Sequence, residues 1–366
     1  MSKCKKMDNK GDKKIVFFDG NLKQGGAERV ISLLANKLAQ DGKRVCVLLY
    51  QDEELFYELD SRIEVVSVQK ETKTRNLIRN IKWIHQFFSE HAEVAISFLA
   101  TINIVALFAH FGLKCPIIVA DRNDPRFVPS NYLIRKTRDF LYTFADGVVL
   151  QTTQNKAYFS KKVQSKSIVI PNPVDLGEKK GLGLRVEKKN EIVSVGRLMP
   201  QKNQIMLIEA FSIIANEYPD YELIIYGEGP EREKLEKRTM QLGISSRVFL
   251  PGSVKNIYDL IARSQLFVLS SNYEGMPNAL IEALCIGVPC LATNVSGVSD
   301  LIKNGKNGEI IPVGDTCALA ERLRVVLDDE TKRDRYGRNA TALNDLLSLQ
   351  RILGVWLSFI ESIKKC

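Results

Sequence analysis

The chain has 366 residues, of which 45% are hydrophobic and 26% charged, and its net charge at neutral pH is +9. This length suffices for two domains of about 150 to 200 residues, and the apolar fraction excludes a disordered or fibrous chain. The seven cysteines include no Cys-x-x-Cys pair, so the composition favours reduced thiols over a disulfide framework or a structural zinc site.

The first residues predict a leader without fold. Residues 1–13 are polar and rich in lysine. The apolar run that follows, Ile15–Phe18, is far shorter than the apolar region of a secretory signal peptide. We therefore expect a disordered leader and a cytoplasmic protein.

Both halves of the chain alternate apolar strand-like runs with helical patterns. The first half predicts strands at Ile15–Phe18, Arg44–Leu49, Ile63–Ser67, Val94–Leu99, Ile117–Ala120, Gly147–Leu150 and Ser167–Ile170, with helices that include Ala27–Gln40. The second half predicts strands at Glu191–Val195, Glu222–Tyr226, Val248–Leu250, Leu266–Leu269 and Pro289–Ala292, and helices at Gln204–Glu217, Gly229–Leu242 and Ile257–Ala262. This alternation is typical of α/β domains, each a doubly wound parallel sheet.

The loop after the first strand contains Gly25 and Gly26. Glycines before a helix let backbone N–H groups approach an anion closely. The alternative is a purely structural turn, because turn glycines are common.

An uncharged segment, Val94–Leu113, approaches the length of a membrane span. It contains the polar residues Ser97 and Asn103. We therefore divide it into a buried strand, Val94–Leu99, and a buried helix, Asn103–Phe111.

The positive charge lies in the first half. Residues 1–172 contain 27 Lys and Arg against 18 Asp and Glu, whereas the remainder contains 25 of each. The excess collects in Lys70–Lys82 and Arg122–Arg138. Basic residues of the first cluster alternate at helical spacing with apolar residues that extend beyond it, namely Lys73, Arg75, Arg79 and Lys82 with Leu77, Ile78, Ile81, Ile84, Phe87 and Phe88. This pattern predicts a basic amphipathic helix that lies on an anionic membrane surface; the alternative is a helix packed on its own domain. Nucleic acid is not expected as a partner, because no helix-turn-helix, zinc-finger or RNP signal accompanies the charge.

The domain boundary is predicted at Pro171–Asp175, where two prolines keep the chain extended. This gives an N-terminal domain of residues 1–172 and a C-terminal domain of residues 173–348. Ligands of open α/β sheets bind beyond the carboxyl ends of the strands. With two such domains, we expect the site in a cleft between them.

A basic loop, Gly196–Lys202, follows the first strand of the second half. Arg197 offers a planar fork that can grip a phosphate, and Lys202 adds a compact charge. Together they can neutralise a diphosphate; the alternative is two exposed basic residues. No Asp-x-Asp pair or histidine cluster indicates a metal site.

Two glutamates eight residues apart, Glu274 and Glu282, flank the start of a predicted helix. Pro277 suits a first helical position and Gly287 a helix end. The free N–H groups at the helix start favour a phosphate between the two carboxylates, so the spacing fits a nucleotide-sugar. The alternative is two solvated glutamates.

These motifs together resemble the retaining glycosyltransferases of family 4 (glycosyl transferases group 1), which have the GT-B fold of two Rossmann-like domains that face each other across a cleft. The resemblance rests on Arg197, Lys202, the two glutamates, Gly25–Arg29 and Pro171–Asp175. It covers nearly the whole chain, and the C-terminal half is its more specific part. It also implies that residues 349–366 form a helix that packs back on the N-terminal domain.

The resemblance assigns roles to individual residues. It implies that Arg197 and Lys202 hold the donor diphosphate, that Glu282 holds the ribose, and that Glu274 contacts the donor sugar. It further places Gly25, Gly26, Gly196, Gly275, Met276 and Pro277 near the donor, with Val254 bordering the base. Among these, Glu274, Arg197 and Lys202 are the expected catalytic residues.

One position departs from the family pattern. Arg122 stands in the loop Asp121–Pro125 where many members carry a histidine. We expect Arg122, Asp121 and Asp124 on the acceptor side, and Asp19, Asp121 and Asp124 are candidate bases.

The resemblance implies transfer with retention, without metal or other cofactor. The expected donor is a nucleotide-sugar, chiefly a UDP-sugar, and the expected acceptor is a lipid-linked or surface polysaccharide. The enzyme would be peripheral on the inner face of the cell membrane. The alternatives are a nucleotide-sugar 2-epimerase of the same fold and a non-catalytic sugar-binding or membrane-surface protein.

Overall fold

The computed structural model describes residues 13–23 and 25–365. Apart from its last residue, the predicted leader therefore lies outside the described residues, as do Cys4 and Cys366. The cysteines within the described ranges are all free thiols, namely Cys46, Cys115, Cys285, Cys290 and Cys317.

The chain divides into two compact units. The first unit comprises the residues up to Pro171 together with those from Leu353 onward. The second unit comprises Asn172–Ile352. The division falls beside the Pro-Asn-Pro segment, where the prolines prevent a helix from continuing.

The first unit contains a parallel sheet of seven strands in the order β3-β2-β1-β4-β5-β6-β7. Its strands are β1 Lys14–Asp19, β2 Val45–Leu49, β3 Glu64–Ser67, β4 Ala92–Phe98, β5 Ile117–Asp121, β6 Gly147–Leu150 and β7 Ser167–Val169. Most are near-continuous apolar runs because helices cover both faces of a parallel sheet. Every predicted strand of this half is present, with ends shifted by at most two residues.

Seven α-helices of the first unit connect these strands. They are α1 Gly26–Gln40, α2 Val68–Thr72, α3 Leu77–His91, α4 Ala100–His110, α5 Tyr132–Leu141, α6 Thr153–Tyr158 and α7 Lys161–Gln164, and a 3₁₀ turn spans Tyr142–Phe144. The uncharged segment from Val94 forms a strand and a helix, as predicted. Across the described ranges, no helix is both long and apolar enough to cross a bilayer.

The predicted basic amphipathic helix is present as α3, but it begins at Leu77, after Lys73 and Arg75, and it packs Ile84, Phe87 and Phe88 into the core of its own unit. Lys73 adopts a left-handed conformation (φ 51°) that ends α2, and α3 begins only at Leu77. Asn76 caps the new helix by accepting a hydrogen bond from the backbone N–H of Arg79. The two helices thus change direction inside the basic cluster.

The second unit contains a parallel sheet of six strands in the order β10-β9-β8-β11-β12-β13. Its strands are β8 Lys189–Val195, β9 Glu222–Tyr226, β10 Val248–Gly252, β11 Ser264–Leu269, β12 Cys290–Thr293 and β13 Glu309–Ile311. The sequence did not predict β13. Both sheets are parallel and covered by helices, which confirms the predicted fold class.

Helices pack on both faces of the second sheet and enclose two apolar clusters. They are α8 Gln204–Ile214, α9 Arg232–Gln241, α10 Ile257–Arg263, α11 Asn278–Ile286, α12 Val298–Leu301, α13 Thr316–Leu327, α14 Glu330–Ala340 and α15 Leu343–Leu346, with 3₁₀ turns at Gly177–Lys179 and Leu182–Leu184.

The strand order reverses at one point in each sheet. In the first unit this point lies between β1 and β4, and in the second between β8 and β11. The loops that leave the carboxyl ends of such a strand pair diverge to opposite faces and leave a crevice between them. The strand order therefore directs attention to the loops after β8 and β11.

The last helix, α16 Leu349–Lys364, contributes its C-terminal part to the first unit. Trp356 is 2% exposed and stacks on Phe98 of β4, with ring centroids 5.9 Å apart. Lys364 forms an ion pair of 2.5 Å with Glu93. The end of the chain thus completes the packing of the N-terminal domain.

We expect Trp356→Ala to lower the free energy of unfolding by about 3–5 kcal/mol, because it leaves a cavity beside Phe98. Urea unfolding followed by circular dichroism measures the change. Ser358→Ala, on the exposed side of the same helix, is the control and should change stability by less than about 0.5 kcal/mol. Equal stability of the two variants would show that the tryptophan is not part of this core.

Candidate functional site

An ion pair joins the loops after β8 and β11. The Nζ of Lys202 lies 2.5 Å from Oε1 of Glu274, and the two side chains are 22% and 9% exposed. The residues are 72 positions apart in sequence, and the parallel sheet brings their loops to the same edge. Low exposure reduces solvent screening of the attraction between these charges.

Two further side chains hold the Glu274 carboxylate. The hydroxyl of Ser271 donates to Oε1 at 2.7 Å. The amide of Gln201 donates to the carbonyl of Tyr273 at 3.0 Å and lies 3.5 Å from Oε2 of Glu274. The carboxylate is therefore oriented by the loops themselves. Neither Ser271 nor Gln201 was singled out from the sequence, although Gln201 lies within the basic loop Gly196–Lys202.

Glycines brace the basic loop from two sides. A Cβ atom on Gly196 would lie 3.3 Å from Cε of Lys202, so the lysine stem packs directly over this glycine. A Cβ on Gly227 would lie 2.0 Å from the carbonyl oxygen of Gly196, and one on Gly229 would lie 2.3 Å from that of Leu198. Since both approaches exclude any side chain, the Gly-Glu-Gly segment after β9 fixes the path of the basic loop.

Arg197 lies inside this braced backbone with an exposed side chain. The side-chain amide of Gln204 donates to the carbonyl of Arg197 at 2.9 Å, and the backbone N–H of Leu198 donates to the carbonyl of Glu228 at 2.9 Å. The backbone of Arg197 is thus held between two anchors while the guanidinium can reach solvent and ligand.

The loop Gly275–Pro277 is fastened by Asn172. This buried side chain donates from Nδ2 to the carbonyl of Met276 at 3.0 Å and to Oδ1 of Asn278 at 2.6 Å. On the other side, a Cβ on Gly297 (φ 82°) would lie 2.9 Å from the carbonyl of Gly275. Sequence analysis missed this role of Asn172, although its position between two prolines was a visible signal.

Helix α11 begins one residue later than predicted. Pro277 is the residue before the helix rather than its first member, and Gly287 ends it in a left-handed conformation (φ 89°), as predicted. Glu282 is the fifth helical residue and is 6% exposed. Its burial within the unit excludes the alternative of a solvated helix residue.

Val254 follows β10, which extends to Gly252, two residues beyond the predicted strand end. The Val254 side chain is partly buried and packs against the apolar cluster that contains Met276. Val254, the residue predicted to border the base, therefore packs against the same apolar cluster as Met276 of the loop Gly275–Pro277.

The glycine loop of the first unit has an acidic neighbour. A Cβ on Gly25 would lie 2.1 Å from Oε2 of Glu28, so the Glu28 carboxylate folds over the start of α1. Asp19, at the end of β1, is fully buried, and burial together with the charge of Glu28 raises the pKa of its carboxyl well above the ordinary value. Gly26 is the first residue of α1. Any anion at this helix start would meet two carboxyl groups.

The loop after β5 holds the three acceptor-side candidates. Arg122 is 6% exposed, its guanidinium lies 5.5 Å from the ring centroid of Phe98, and burial lowers its pKa to about 9. The Asp121 carboxylate accepts from Tyr142 at 3.2 Å and lies 3.5 Å from Arg138.

The Asp124 carboxylate accepts from Nε of Arg126 at 2.9 Å and from its Nη2 at 2.6 Å. The carboxylates of Asp121 and Asp124 thus both make hydrogen bonds within their own unit. In the described ranges, no group of three or more His, Cys, Asp or Glu side chains is placed to hold a metal ion.

We expect Asn172→Ala to weaken binding of the expected nucleotide about tenfold, because the carbonyl of Met276 and the side chain of Asn278 each lose a hydrogen bond of roughly 1 kcal/mol. Isothermal titration with UDP measures the affinity. Asn344→Ala is the matched control: Asn344 is also buried and donates to two carbonyls, those of Cys285 and Thr341. The control should lose stability but keep its UDP affinity, and equal affinities in both variants would remove Asn172 from the site.

Comparison with known families covers almost all of the described chain. Residues 24–178 match the family described as Glycosyltransferase Family 4. Residues 178–343 match the family described as Glycosyl transferases group 1. The two matches meet within a few residues of the division between the two units.

Individual relatives and a solved structure lead to the same family. The GalNAc-alpha-(1->4)-GalNAc-alpha-(1->3)-diNAcBac-PP-undecaprenol alpha-1,4-N-acetyl-D-galactosaminyltransferase of Campylobacter jejuni is 30% identical over 96% of this chain and 99% of its own length. An Escherichia coli UDP-Gal:alpha-D-GlcNAc-diphosphoundecaprenol alpha-1,3-galactosyltransferase is 35% identical over 45% of this chain and 46% of its own. The crystal structure of Anabaena HepE in complex with UDP superposes with a TM-score of 0.82 at 22% identity, over 95% of this chain and all of HepE. The chain therefore belongs to glycosyltransferase family 4, the glycosyl transferases group 1, and is a glycosyltransferase with the GT-B fold.

Proposed function

We propose that this enzyme transfers a sugar from a UDP-sugar to a lipid-linked or surface-polysaccharide acceptor, with retention of configuration at the anomeric carbon. The observation that carries the proposal is the Lys202–Glu274 ion pair at the point where the second sheet reverses. It places an ammonium and a carboxylate side by side, as a ligand with a diphosphate next to a sugar requires.

The donor would be held by groups of the second unit. An ammonium has three N–H donors, of which one reaches Glu274, so two remain to face phosphate oxygens. Arg197 would add a forked contact to the same diphosphate. Glu274 would hold the sugar hydroxyls, Glu282 the ribose, and the fastened backbone of Gly275–Pro277 the region between them.

In the reaction, the bond between the anomeric carbon and the diphosphate oxygen breaks while the acceptor oxygen bonds to the same face of that carbon. The acceptor proton passes to the departing diphosphate. Arg197 and Lys202 stabilise the negative charge that develops on this leaving group, and preorganised charges of this kind lower the barrier strongly. No metal ion takes part in the proposed step.

The names of the relatives support the proposed acceptor class, and the proposed location rests on that class. The Campylobacter jejuni and Escherichia coli transferases are named for sugars linked through diphosphate to undecaprenol. A shared acceptor class would bring this enzyme to the inner face of the cell membrane, as a peripheral protein on anionic lipids. A nucleotide-sugar 2-epimerase is disfavoured, because these relatives are named as transferases. Incubation with UDP-sugar alone separates the two, since an epimerase converts its substrate without an acceptor.

We expect Arg197→Ala to lower kcat/KM about a hundredfold or more, by analogy with the loss of one charge-stabilising donor from other active sites. Its melting temperature should stay unchanged, because the side chain is exposed. The measurement is UDP release in the presence of donor and diphosphate-linked acceptor. Arg338→Ala, which removes an exposed arginine of the same unit that pairs with Asp334, should remain fully active. Wild-type turnover by the Arg197 variant would refute the proposed clamp.

Turnover should continue in excess EDTA, because the two cations of the clamp replace a metal ion. The same UDP-release assay, run with EDTA and then with added Mg²⁺ or Mn²⁺, measures this. A rate that collapses with EDTA and returns with either ion would contradict a metal-independent reaction.

A further inference from the structure

Helix α5 reverses the usual arrangement of a surface helix. Its one fully buried side chain is that of Arg138, whereas Tyr132, Leu133 and Phe140 are 60%, 72% and 63% exposed. Surface helices normally turn an apolar stripe inward and charges outward. Leu141, at the end of α5, packs against the core of the unit, but Tyr132, Leu133 and Phe140 do not serve that core.

The buried arginine holds α5 in this orientation. Nη1 of Arg138 donates to the carbonyl of Val128 at 2.6 Å, and Nη2 donates to the carbonyl of Pro125 at 2.9 Å and to Asp139 at 2.7 Å. Its guanidinium also lies 5.2 Å from the ring centroid of Phe159. A buried charge is tolerated only with such partners, so Arg138 must keep its side of α5 turned inward. The opposite side of the helix therefore faces outward.

The exposed side chains form one surface. At about 100° per residue, Lys136 and Phe140 fall within the arc that runs from Tyr132 to Leu133. The ring of Phe144, in the turn that follows, meets Phe140 edge-on with centroids 5.2 Å apart and is 53% exposed. We call these five residues the outer face of α5. Apolar patches of this kind on a protein surface mark interaction sites.

Positive charges accompany this face. The Nζ of Lys136 lies 5.5 Å from the ring of Tyr132, and that of Lys162 lies 5.7 Å from the ring of Phe144. Between Arg126 and Phe144 the single acidic residue is Asp139, and its carboxylate accepts from Arg138 and Tyr158. Within this segment the face is therefore apolar and cationic, and its single carboxylate is engaged by Arg138 and Tyr158.

We propose that the outer face of α5 docks on an anionic phospholipid surface. Tyr132, Leu133 and Phe140 would enter the boundary between headgroups and acyl chains to a depth of about 5–10 Å, and Lys136 and Lys162 would extend into the phosphate layer. The inference rests on the proposed lipid-linked acceptor, for which it names the membrane-facing element.

A second copy of the chain fits this face less well. A two-fold symmetric contact brings the same residues of both copies together. The lysines of one copy would then face the lysines of the other with no carboxylate between them, and like charges in contact weaken association. Anionic lipid supplies the missing negative charge.

The test is flotation with vesicles of phosphatidylcholine mixed with phosphatidylglycerol. The wild-type enzyme should float, and Leu133→Ser/Phe140→Ser should reduce the vesicle partition constant by about tenfold or more, because two large apolar side chains no longer enter the lipid. The matched control is Ile213→Ser/Met240→Ser, which removes two apolar side chains that are 45% and 68% exposed on the second unit. This control should float like the wild type.

Melting curves with and without UDP complete the design. Both double variants should melt like the wild type and respond to UDP, because no altered residue belongs to the donor site. If the wild type floats but its melting temperature does not respond to UDP, the proposed function is refuted, whereas the proposed lipid-binding role of the outer face of α5 is retained. Equal flotation of the α5 variant and the wild type would overturn the inference. It would also be overturned if the wild type were a dimer that does not bind vesicles and the α5 variant were a monomer.

Discussion

The proposed donor site depends on one electrostatic contact, the ion pair between Lys202 and Glu274. A parallel doubly wound sheet sends consecutive loops to the same edge, and the reversal of strand order beside β8 opens a space there. The two charges meet across that space from loops far apart in sequence. The lysine stem lies over Gly196, the carboxylate is oriented by Ser271, and the glycines after β9 set the path of the basic loop. The surrounding residues thus serve to keep one cation and one anion in place for a ligand that carries phosphate beside hydroxyls.

A second charged contact organises the N-terminal domain. Arg138 is buried, and its donors reach two carbonyls within the loop after β5, those of Pro125 and Val128, as well as the carboxylate of Asp121. This anchor ties α5 to the loop that contains Arg122, the position where the family pattern leads us to expect a histidine. The same anchor turns the apolar side of α5 to solvent. One buried arginine therefore connects the loop assigned to the acceptor with the surface proposed to meet the lipid.

Sequence patterns were reliable where one physical signal dominated. Apolar runs located twelve of the strands, Gly287 located the end of α11, and the uncharged segment from Val94 resolved into a strand and a helix. They failed where local chemistry was ambiguous. The left-handed turn at Lys73 interrupts a pattern that reads as one helix. The strand β13 was not predicted. Arg138 lies in an amphipathic pattern whose apolar side would ordinarily be taken for the core.

The sequence by itself determined the fold class, the two-domain organisation and the residue types that can bind a diphosphate and a sugar, because periodicity, glycine placement and the paired glutamates are local features. Only the tertiary structure decided that Lys202 meets Glu274, that Asn172 fastens the glutamate loop from over a hundred positions away, and that α5 faces outward. Each of these depends on which elements become neighbours after folding. Partners distant in sequence leave no periodic trace in a single chain, so their contacts are visible only once the sheets have formed.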